Sequence, residues 1–228
     1  MNHLQPVHAR VIGGAHLFET GDLAPEFATM LPCSGLTAYA ALKKVGVVKG
    51  AQPILLIGAG GLGLMCLELI KALGGTPPVI VDINPTKREA ARLAGAAATI
   101  DPDAPDAVAQ IAACCNGAPQ AVIDFVGAEA TANLGFDALG KGGIFVIVGL
   151  FGGAAPWPLP MIALKVATIR GSYTGSLNDF SELMELARSG SIASIPTKTH
   201  PLAQAEEVLN ALEQGKVMGR ALLLPHEC

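Results

Sequence analysis

Charged residues are scarce in this chain of 228 residues: they make up 15% of it, against about 25% in an average soluble domain. Because hydrophobic residues reach 51%, the composition excludes an intrinsically disordered chain. Basic and acidic residues number 15 and 19, and no run of like charge stands out that could follow a phosphate backbone. The sequence therefore argues against nucleic acid as a partner and predicts a globular protein with a large core.

Cysteine pairs and an export signal are also lacking. The five cysteines include no C-x-x-C pair, and an odd number in a chain of this length does not indicate a disulfide framework. The residues after Met1 soon become polar and lack the basic-then-apolar order of a secretory signal. We therefore expect a cytoplasmic protein.

Apolar runs without interruption are missing as well. The stretches 54–70 and 144–164 are long enough to span a bilayer, but glycines break the first, and glycines and prolines break the second. A short apolar run between turn residues is typical of a parallel strand that is buried on both faces. The sequence thus predicts no membrane insertion.

From residue 49 onward, short apolar runs alternate with longer helical patterns, an order that indicates crossover units and a parallel sheet. Six runs are predicted to be strands, at 53–57, 78–81, 98–100, 121–124, 144–148 and 167–173. The clearest helical patterns lie between them, at 62–73, 85–93, 106–114 and 128–139. Six parallel strands form a complete dinucleotide-binding sheet, so the predicted fold class is α/β with a doubly wound, Rossmann-type sheet.

The two ends of the chain depart from this alternation. Residues 1–32 are rich in loop formers and precede a predicted helix at 35–44. After residue 175, the pattern predicts helices at 178–188 and 202–214 and a last strand at 221–224.

Glycine is abundant, with 27 residues, and three glycines carry the first functional signal. Gly58, Gly60 and Gly63 form G-x-G-x-x-G where a predicted strand meets a predicted helix, which is the context that a dinucleotide site requires. Gly58 permits a tight turn, Gly60 lets backbone N–H groups approach a pyrophosphate, and Gly63 lets helix and strand pack closely. The helix that begins near Leu62, next to Gly61, directs free N–H groups and a partial positive charge at that anion.

Asp82 supplies a second signal, because it ends the next apolar strand 19 residues after the last motif glycine. A carboxylate at about that spacing accepts hydrogen bonds from the adenosine ribose and repels a 2′-phosphate. The sequence therefore favours NAD over NADP as cofactor. Two alternatives stay open: a glycine-rich turn followed by a surface aspartate, and a flavin or S-adenosyl methionine site on a similar sheet.

From about residue 9 to 225, the chain resembles the zinc-type medium-chain alcohol dehydrogenases. Besides the glycine motif, the matching segments are LPCSGLTAYAALKK (31–44), VDINPTK (81–87), VIDFVG (122–127), GGIFVIVGL (142–150), GSYTGS (171–176) and GKVMGRALLLP (215–225). Several such segments in the family's order are far more specific than one motif. The resemblance implies hydride transfer between an alcohol and NAD, giving an aldehyde or ketone.

The same resemblance implies which residues hold the dinucleotide. Asp82 and Lys87 would contact the adenosine ribose, and Arg220 would pair with the pyrophosphate. The remaining assignments lie towards the nicotinamide: Thr37 beside it, Val126 and Gly127 along the cofactor channel, and Val148 and Thr174 with backbone groups for its carboxamide.

Cys33 lies where the family has the third protein ligand of its catalytic zinc. That zinc is a Lewis acid that needs three protein ligands and one open position. In the family the other two ligands belong to an N-terminal domain that this sequence does not contain, and no histidine of the chain falls in a replacing motif. We therefore expect a partly buried thiol at Cys33, no retained zinc, and no catalytic residue that can be named.

The resemblance divides the chain into three parts: a remnant of the substrate domain at 1–33, an NAD-binding Rossmann domain at 34–174, and a return to the substrate domain at 175–228. The leading hypothesis is the NAD-binding portion of a zinc-dependent alcohol dehydrogenase, without appreciable turnover as this chain. One alternative is a zinc-free quinone or enone reductase of the same superfamily, and another is a non-catalytic nucleotide-binding module.

A homodimer is also expected. In the resembling family, the region around Trp157 borders the strand that joins two subunits edge to edge, and an unpaired sheet edge with exposed apolar residues favours association. A small alcohol or carbonyl compound is the substrate expected of the full-length form. Cys114 and Cys115 lie at the end of a predicted helix, and we expect them to be structural.

Overall fold

A computed structural model describes residues 17–46 and 52–225 of the chain. Its main sheet has six parallel strands in the order β3-β2-β1-β4-β5-β6, which is the doubly wound arrangement predicted above. The strands are β1 (Leu55–Ile57), β2 (Val79–Val81), β3 (Ala98–Ile100), β4 (Ala121–Asp124), β5 (Ile144–Ile147) and β6 (Thr168–Gly171). The order reverses at β1, whose neighbours are β2 and β4.

Helices connect the strands and cover both faces of the sheet. They are α1 (Pro25–Ala28), α2 (Leu36–Val45), α3 (Gly61–Ala72), α4 (Pro85–Leu93), α5 (Ala107–Cys114), α6 (Glu129–Ala138), α7 (Leu159–Lys165), α8 (Leu177–Arg188) and α9 (Ala205–Glu213). A π-helical turn, Leu31–Gly35, leads into α2, and a 3-10 turn, Leu202–Gln204, leads into α9. In the described ranges, no helix has the length and apolar character needed to cross a bilayer.

Two cores lie on opposite faces of the sheet. Successive strand residues point to opposite faces, so Leu56 belongs to one core while Leu55 and Ile57 belong to the other. The larger core lies between α2, α3 and α8, and it contains Leu183 of α8. Strands β1, β2 and β5 are apolar throughout because both faces of the central sheet are covered.

The six predicted strands are present within two residues of their expected bounds, and, besides the short helix α1, two elements were missed. The run of prolines around Trp157 argued against a helix, yet Pro160 lies in the first turn of α7, where a missing N–H costs nothing. The second is β7 (Thr197–Pro201), which pairs in parallel with β8 (Arg220–Leu224). This strand belongs to a separate two-stranded sheet, and little of it is buried. It therefore has a polar sequence without the apolar–polar alternation that predicts a strand.

Trp157 is partly buried against the second core. Its ring stacks on Phe136 with the centroids 4.8 Å apart, and its Nε1 donates to Asn133 Oδ1 at 3.0 Å. Lys165 at the end of α7 donates to three main-chain oxygens at the C-terminal end of α6, those of Phe136, Asp137 and Leu139. This region therefore packs α7 onto α6.

An ion-pair cluster joins α2 to α8. Lys43 Nζ lies 2.7 Å from Asp179 Oδ1 and 2.8 Å from Glu182 Oε2, which also accepts a hydrogen bond from Tyr39 Oη. The hydrogen bond from Lys43 lowers the pKa of Asp179 to about 2, against an ordinary value of 3.8. Since α8 shares its core with α2, this cluster secures the C-terminal part of the chain to the main sheet.

Asp179→Asn should therefore lower the free energy of unfolding at neutral pH. A carboxyl whose pKa is depressed in the folded state stabilises the fold above its unfolded pKa and loses that contribution as the pH falls through its folded pKa. The difference between the variant and the wild type should shrink between about pH 4 and pH 2. Urea unfolding at several pH values measures it, with the exposed Glu185→Gln on the same helix as control; a pH-independent difference would contradict the assignment.

Candidate functional site

A cavity of about 430 Å³ opens at the carboxyl ends of the central strands, where the strand order reverses. Ligands of open α/β sheets bind at this position. The predicted residues that line it are Gly58, Gly60, Gly61, Leu62, Gly63, Asp82, Lys87, Val126 and Arg220. The structure thus brings together both signals of the sequence and three of the assignments that came from the resemblance.

The glycine turn has the backbone geometry that its sequence predicts. Gly58 has a φ of 100°, a conformation that L side chains rarely adopt. A Cβ on Gly63 would overlap the carbonyl oxygen of Gly58, so α3 can lie against the end of β1 only without a side chain there. At Gly60, by contrast, no atom of the described residues beyond its chain neighbours lies within 4 Å of a Cβ position.

Helix α3 presents its N-terminus to this cavity. Its N-cap is Gly60, which has no side chain to accept a hydrogen bond, and its first hydrogen bond runs from Leu64 N to Gly60 O at 2.9 Å. The N–H groups of Gly61, Leu62 and Gly63 therefore have no acceptor within the helix. Such an N-terminus attracts an anion through its free donors and its dipole.

Arg220, the first residue of β8, places a cation beside that N-terminus. A Cβ on Gly61 would overlap the Arg220 guanidinium. The absence of a side chain at Gly61 is therefore what lets Arg220 lie so close to the helix N-terminus. Its Nε is buried and has no hydrogen-bond partner in the described part of the chain. A buried donor without a partner is costly, and an anion bound at this point would satisfy it. This donor set fits a pyrophosphate.

Asp82 lies one strand away and is held in place by main-chain donors. Its Oδ2 accepts from Ala59 N at 2.7 Å, and its Oδ1 accepts from Asn84 N at 2.8 Å. Each carboxylate oxygen can accept more than one hydrogen bond, so both retain capacity for ribose hydroxyls. Lys87 of α4 lies on the same side and lines the cavity too.

A second, mainly apolar cavity of about 400 Å³ adjoins the first at Asp82 and Lys87. Residues that the sequence analysis missed form much of its lining: Ile57, Val81, Ile83, Pro102, Ala128, Ala130, Thr131 and Phe151. Ile83 and Phe151 are exposed by 70% and 83%, which is unusual for side chains so apolar. The sequence signal that could have identified Ile83 and Pro102 is their position, because they follow the carboxyl ends of β2 and β3. This cavity is suited to a flat, apolar ring.

Asp124 shapes the wall between β4 and the cavities, and the sequence analysis assigned it no role. It is fully buried at the end of β4. Its Oδ1 accepts from Val126 N at 2.8 Å and Gly127 N at 3.0 Å, and its Oδ2 accepts from Thr131 Oγ1 at 2.8 Å. The carboxylate therefore fixes the turn that carries Val126.

Of the residues predicted for the nicotinamide part, Val126 lines both cavities, and the other four line neither. Gly127 lines a neighbouring cavity of about 130 Å³ and lies against Gly149. Val148 is buried after β5, and Thr37 is half-buried on α2. Thr174 is exposed after β6 with a φ of 49°. Their roles remain predictions.

Comparison with known proteins agrees with this architecture. The model of the zinc-binding dehydrogenase family matches residues 61–189, which is more than half of the chain. The chain belongs to this family. The match begins at the first residue of α3 and ends just after α8, so it contains most of the main sheet and the helices around it.

Named relatives of this zinc-binding dehydrogenase chain are alcohol dehydrogenases. The NAD-dependent alcohol dehydrogenase of Sulfurisphaera tokodaii is 34% identical over 92% of this chain and 61% of its own length. That of Saccharolobus solfataricus is 36% identical over 87% of this chain and 57% of its own length. The crystal structure of the Aeropyrum pernix alcohol dehydrogenase superposes with a TM-score of 0.79 at 30% identity, covering 88% of this chain and 58% of that one. The chain thus spans about 60% of the length of the curated relatives it matches.

The residues described in this zinc-binding dehydrogenase do not by themselves build a zinc site. Within 17–46 and 52–225, no group of three His, Cys, Asp or Glu side chains could hold a metal. Cys33 lies in the π-helical turn and is exposed, which corrects the expectation of a partly buried thiol. It is exposed because Leu31, Ser34 and Gly35 are the residues that this turn buries. His200 Nδ1 lies 3.1 Å from Gln204 Oε1, and the other histidines lie outside the described residues.

Among the other described cysteines, Cys66 and Cys115 are buried, which fits the structural role expected of Cys115. Burial raises the pKa of Cys115 to about 12 and also raises that of Cys66. Thiols with raised pKa values are poor nucleophiles and poor metal ligands. Cys114 is exposed at the end of α5, and Cys228 lies outside the described residues.

Asp124→Ala should lower the free energy of unfolding by about 2–4 kcal/mol, because it leaves two main-chain donors and the Thr131 hydroxyl without their acceptor. Denaturant unfolding measures the loss. The control is Asp137→Ala, which removes an exposed carboxylate from α6 and should change stability by no more than about 0.5 kcal/mol. Equal effects of the two substitutions would show that Asp124 does not hold the turn.

Proposed function

We propose that this chain binds NAD and forms the NAD-binding portion of an alcohol dehydrogenase. The observation that carries the proposal is the convergence, on one cavity, of the uncapped N-terminus of α3 and the unpartnered Nε of Arg220. A pyrophosphate has the charge and the acceptor oxygens to use both. The names of the relatives, two of them NAD-dependent alcohol dehydrogenases, support the same cofactor.

The two cavities would hold different parts of the cofactor. Donors from Gly61 to Gly63 and the Arg220 guanidinium would hold the pyrophosphate, and Asp82 would accept the adenosine ribose hydroxyls. The apolar cavity would take the adenine between Ile83 and Phe151. The nicotinamide would extend along Val126 towards Val148 and Thr174, with Thr37 beside it. When bound, NAD supplies the hydride acceptor for alcohol oxidation.

The expected preference for NAD over NADP follows from charge at the ribose. Asp82 places a carboxylate at the wall shared by both cavities, where a 2′-phosphate would meet it. Like charges at close range repel, and a bound phosphate would displace the main-chain hydrogen bonds that hold Asp82. NAD has a hydroxyl at that position and can donate to the carboxylate instead.

Zinc and turnover form the second part of the proposal. Cys33 would be one ligand of a zinc that needs two further protein ligands, as in the zinc-type family that the chain resembles. We propose that this chain alone holds no stoichiometric zinc and has no appreciable alcohol oxidation. A small alcohol or carbonyl compound would be the substrate of an alcohol dehydrogenase that contains this portion.

We also propose a homodimer that forms through the β6 edge. In the described part of the chain, β6 pairs only with β5, so its other edge is open. Nearby α7 exposes Leu159 by 79% and Leu164 by 67%, and Val166 after it is exposed by 59%. Open strand edges with apolar neighbours favour association. The division at residues 33 and 174 and the cytoplasmic location remain predictions.

Gly60→Val tests the cofactor site. The added side chain has room in the fold, since Gly60 has an extended backbone and an open Cβ position, but it would fill the approach of a pyrophosphate. We expect at least about a tenfold loss of NAD affinity, which is 1.4 kcal/mol, with no change in melting temperature. Isothermal titration calorimetry of the 228-residue chain measures the affinity, and mass spectrometry of the same sample measures zinc.

Ala97→Val is the control, because Ala97 is exposed just before β3, lies outside both cavities and is not part of the β6 edge. It should bind NAD as the wild type does. NAD binding by Gly60→Val at wild-type strength would refute the proposed site. Tightly held stoichiometric zinc, or robust alcohol oxidation by the purified chain, would refute the second part.

A further inference from the structure

Two residues at the ribose end of the proposed site favour different cofactors, one NAD and the other NADP. Asp82 is the acid that would accept a hydrogen bond from the 2′-hydroxyl of NAD. An arginine near the same turn is the usual partner of the 2′-phosphate of NADP. Arg88 is such an arginine, six residues after Asp82 on α4. The preference for one cofactor therefore depends on where the Arg88 guanidinium lies.

The guanidinium of Arg88 is turned away from the cavities and bound to the main chain behind Asp82. Its Nη1 donates to the carbonyl oxygens of Asp82 at 2.7 Å and Ile83 at 3.0 Å. Its side chain is only 18% exposed, and it lines neither cavity, whereas the adjacent Lys87 lines both. Arg88 thus supports the turn that carries the ribose acid without facing the ribose.

Asp101 holds the other side of the guanidinium. It is the first residue after β3, and its Oδ2 lies 2.8 Å from Arg88 Nη2. Its Oδ1 accepts from Asp103 N at 3.1 Å, so its own loop orients the carboxylate. The adjacent strand ends are also joined, since Asp82 N donates to Ile100 O at 3.3 Å. The pair therefore links the loop after β2 to the loop after β3.

We propose that Arg88 and Asp101 are positioning residues that strengthen the preference of this site for NAD over NADP, which the charge of Asp82 establishes. Asp101 keeps the guanidinium against the main chain behind Asp82, where it fixes the ribose acid and cannot reach a 2′-phosphate. The inference rests on the proposed NAD site, and it adds to that site a carboxylate that touches no cofactor. Lys87 is the same in every variant below, so it does not affect the comparison.

Asp101→Asn tests the inference by removing the charge that retains Arg88 while keeping the shape of the side chain. The ratio of NADP affinity to NAD affinity should rise about fivefold, the size expected for a half-exposed ion pair. Calorimetric titration of the full chain with NAD and with NADP gives the ratio without any need for turnover. Glu89→Gln is the matched control, because it frees Arg92 on the same helix, and it should leave the ratio unchanged.

The double variant R88Q/D101N separates a released arginine from a deleted negative charge. If Arg88 is what binds the 2′-phosphate, the gain in NADP affinity should disappear in the double variant. A gain that persists there, or no gain in Asp101→Asn, would overturn the inference while leaving the NAD site intact. Failure of the wild type to bind either nucleotide would overturn the proposed function, and the inference with it.

Circular dichroism should show that each variant is folded. If Asp101→Asn does not fold, Arg88→Gln provides the test, because the turn at Asp82 then loses the donor to two carbonyl oxygens. NAD affinity should fall about threefold or more, with no rise in NADP affinity. Wild-type affinity for NAD in Arg88→Gln would contradict a positioning role.

Discussion

The contact between Gly63 and the carbonyl oxygen of Gly58 is the constraint on which the rest of the site depends. Any side chain at residue 63 would push α3 away from the end of β1, and the N-terminus of the helix would move with it. The positive φ of Gly58 turns the chain out of the strand, and the open Cβ position of Gly60 leaves its backbone accessible. Three glycines thus set the direction in which α3 presents its free donors.

The charged groups are arranged around that helix end by elements far apart in sequence. Arg220 arrives from β8, the last strand, and needs Gly61 to approach. Asp82 is held by Ala59 N from the glycine turn itself and, on the other side, by the Arg88 side chain through its carbonyl oxygen. A cation thus lies at the helix N-terminus and a carboxylate lies one strand away. This distribution matches a pyrophosphate that is followed by a ribose.

Much of the fold could be predicted because its signals are local. The strands β1 and β2 are short apolar runs, and Gly58, Gly60 and Gly63 have a spacing that few other structures require. Pro85 follows Asn84, whose side chain caps α4, so the start of that helix could also be predicted from the sequence.

The features that could not be predicted depend on tertiary contacts. Nothing in the sequence near Arg220 indicates that its Nε is buried without a partner, or that Phe151 from beyond β5 lines a cavity beside β2. Asp124 is the exception, because its three hydrogen-bond donors follow it within seven residues, and an aspartate at the end of a buried strand was the signal that could have identified it. Strand β7 forms only because β8 returns beside it.

The claim that the N-terminus of α3 binds the pyrophosphate of NAD can be tested most directly by following main-chain amides. Titration of the isotope-labelled chain with NAD, monitored by proton–nitrogen correlation spectra, should shift the amides of Gly61, Leu62 and Gly63 most strongly and to a common saturation. Adenosine, which has no pyrophosphate, should shift residues around Ile83 and leave those three amides nearly unchanged. NAD binding that leaves the three amides unperturbed would contradict the account.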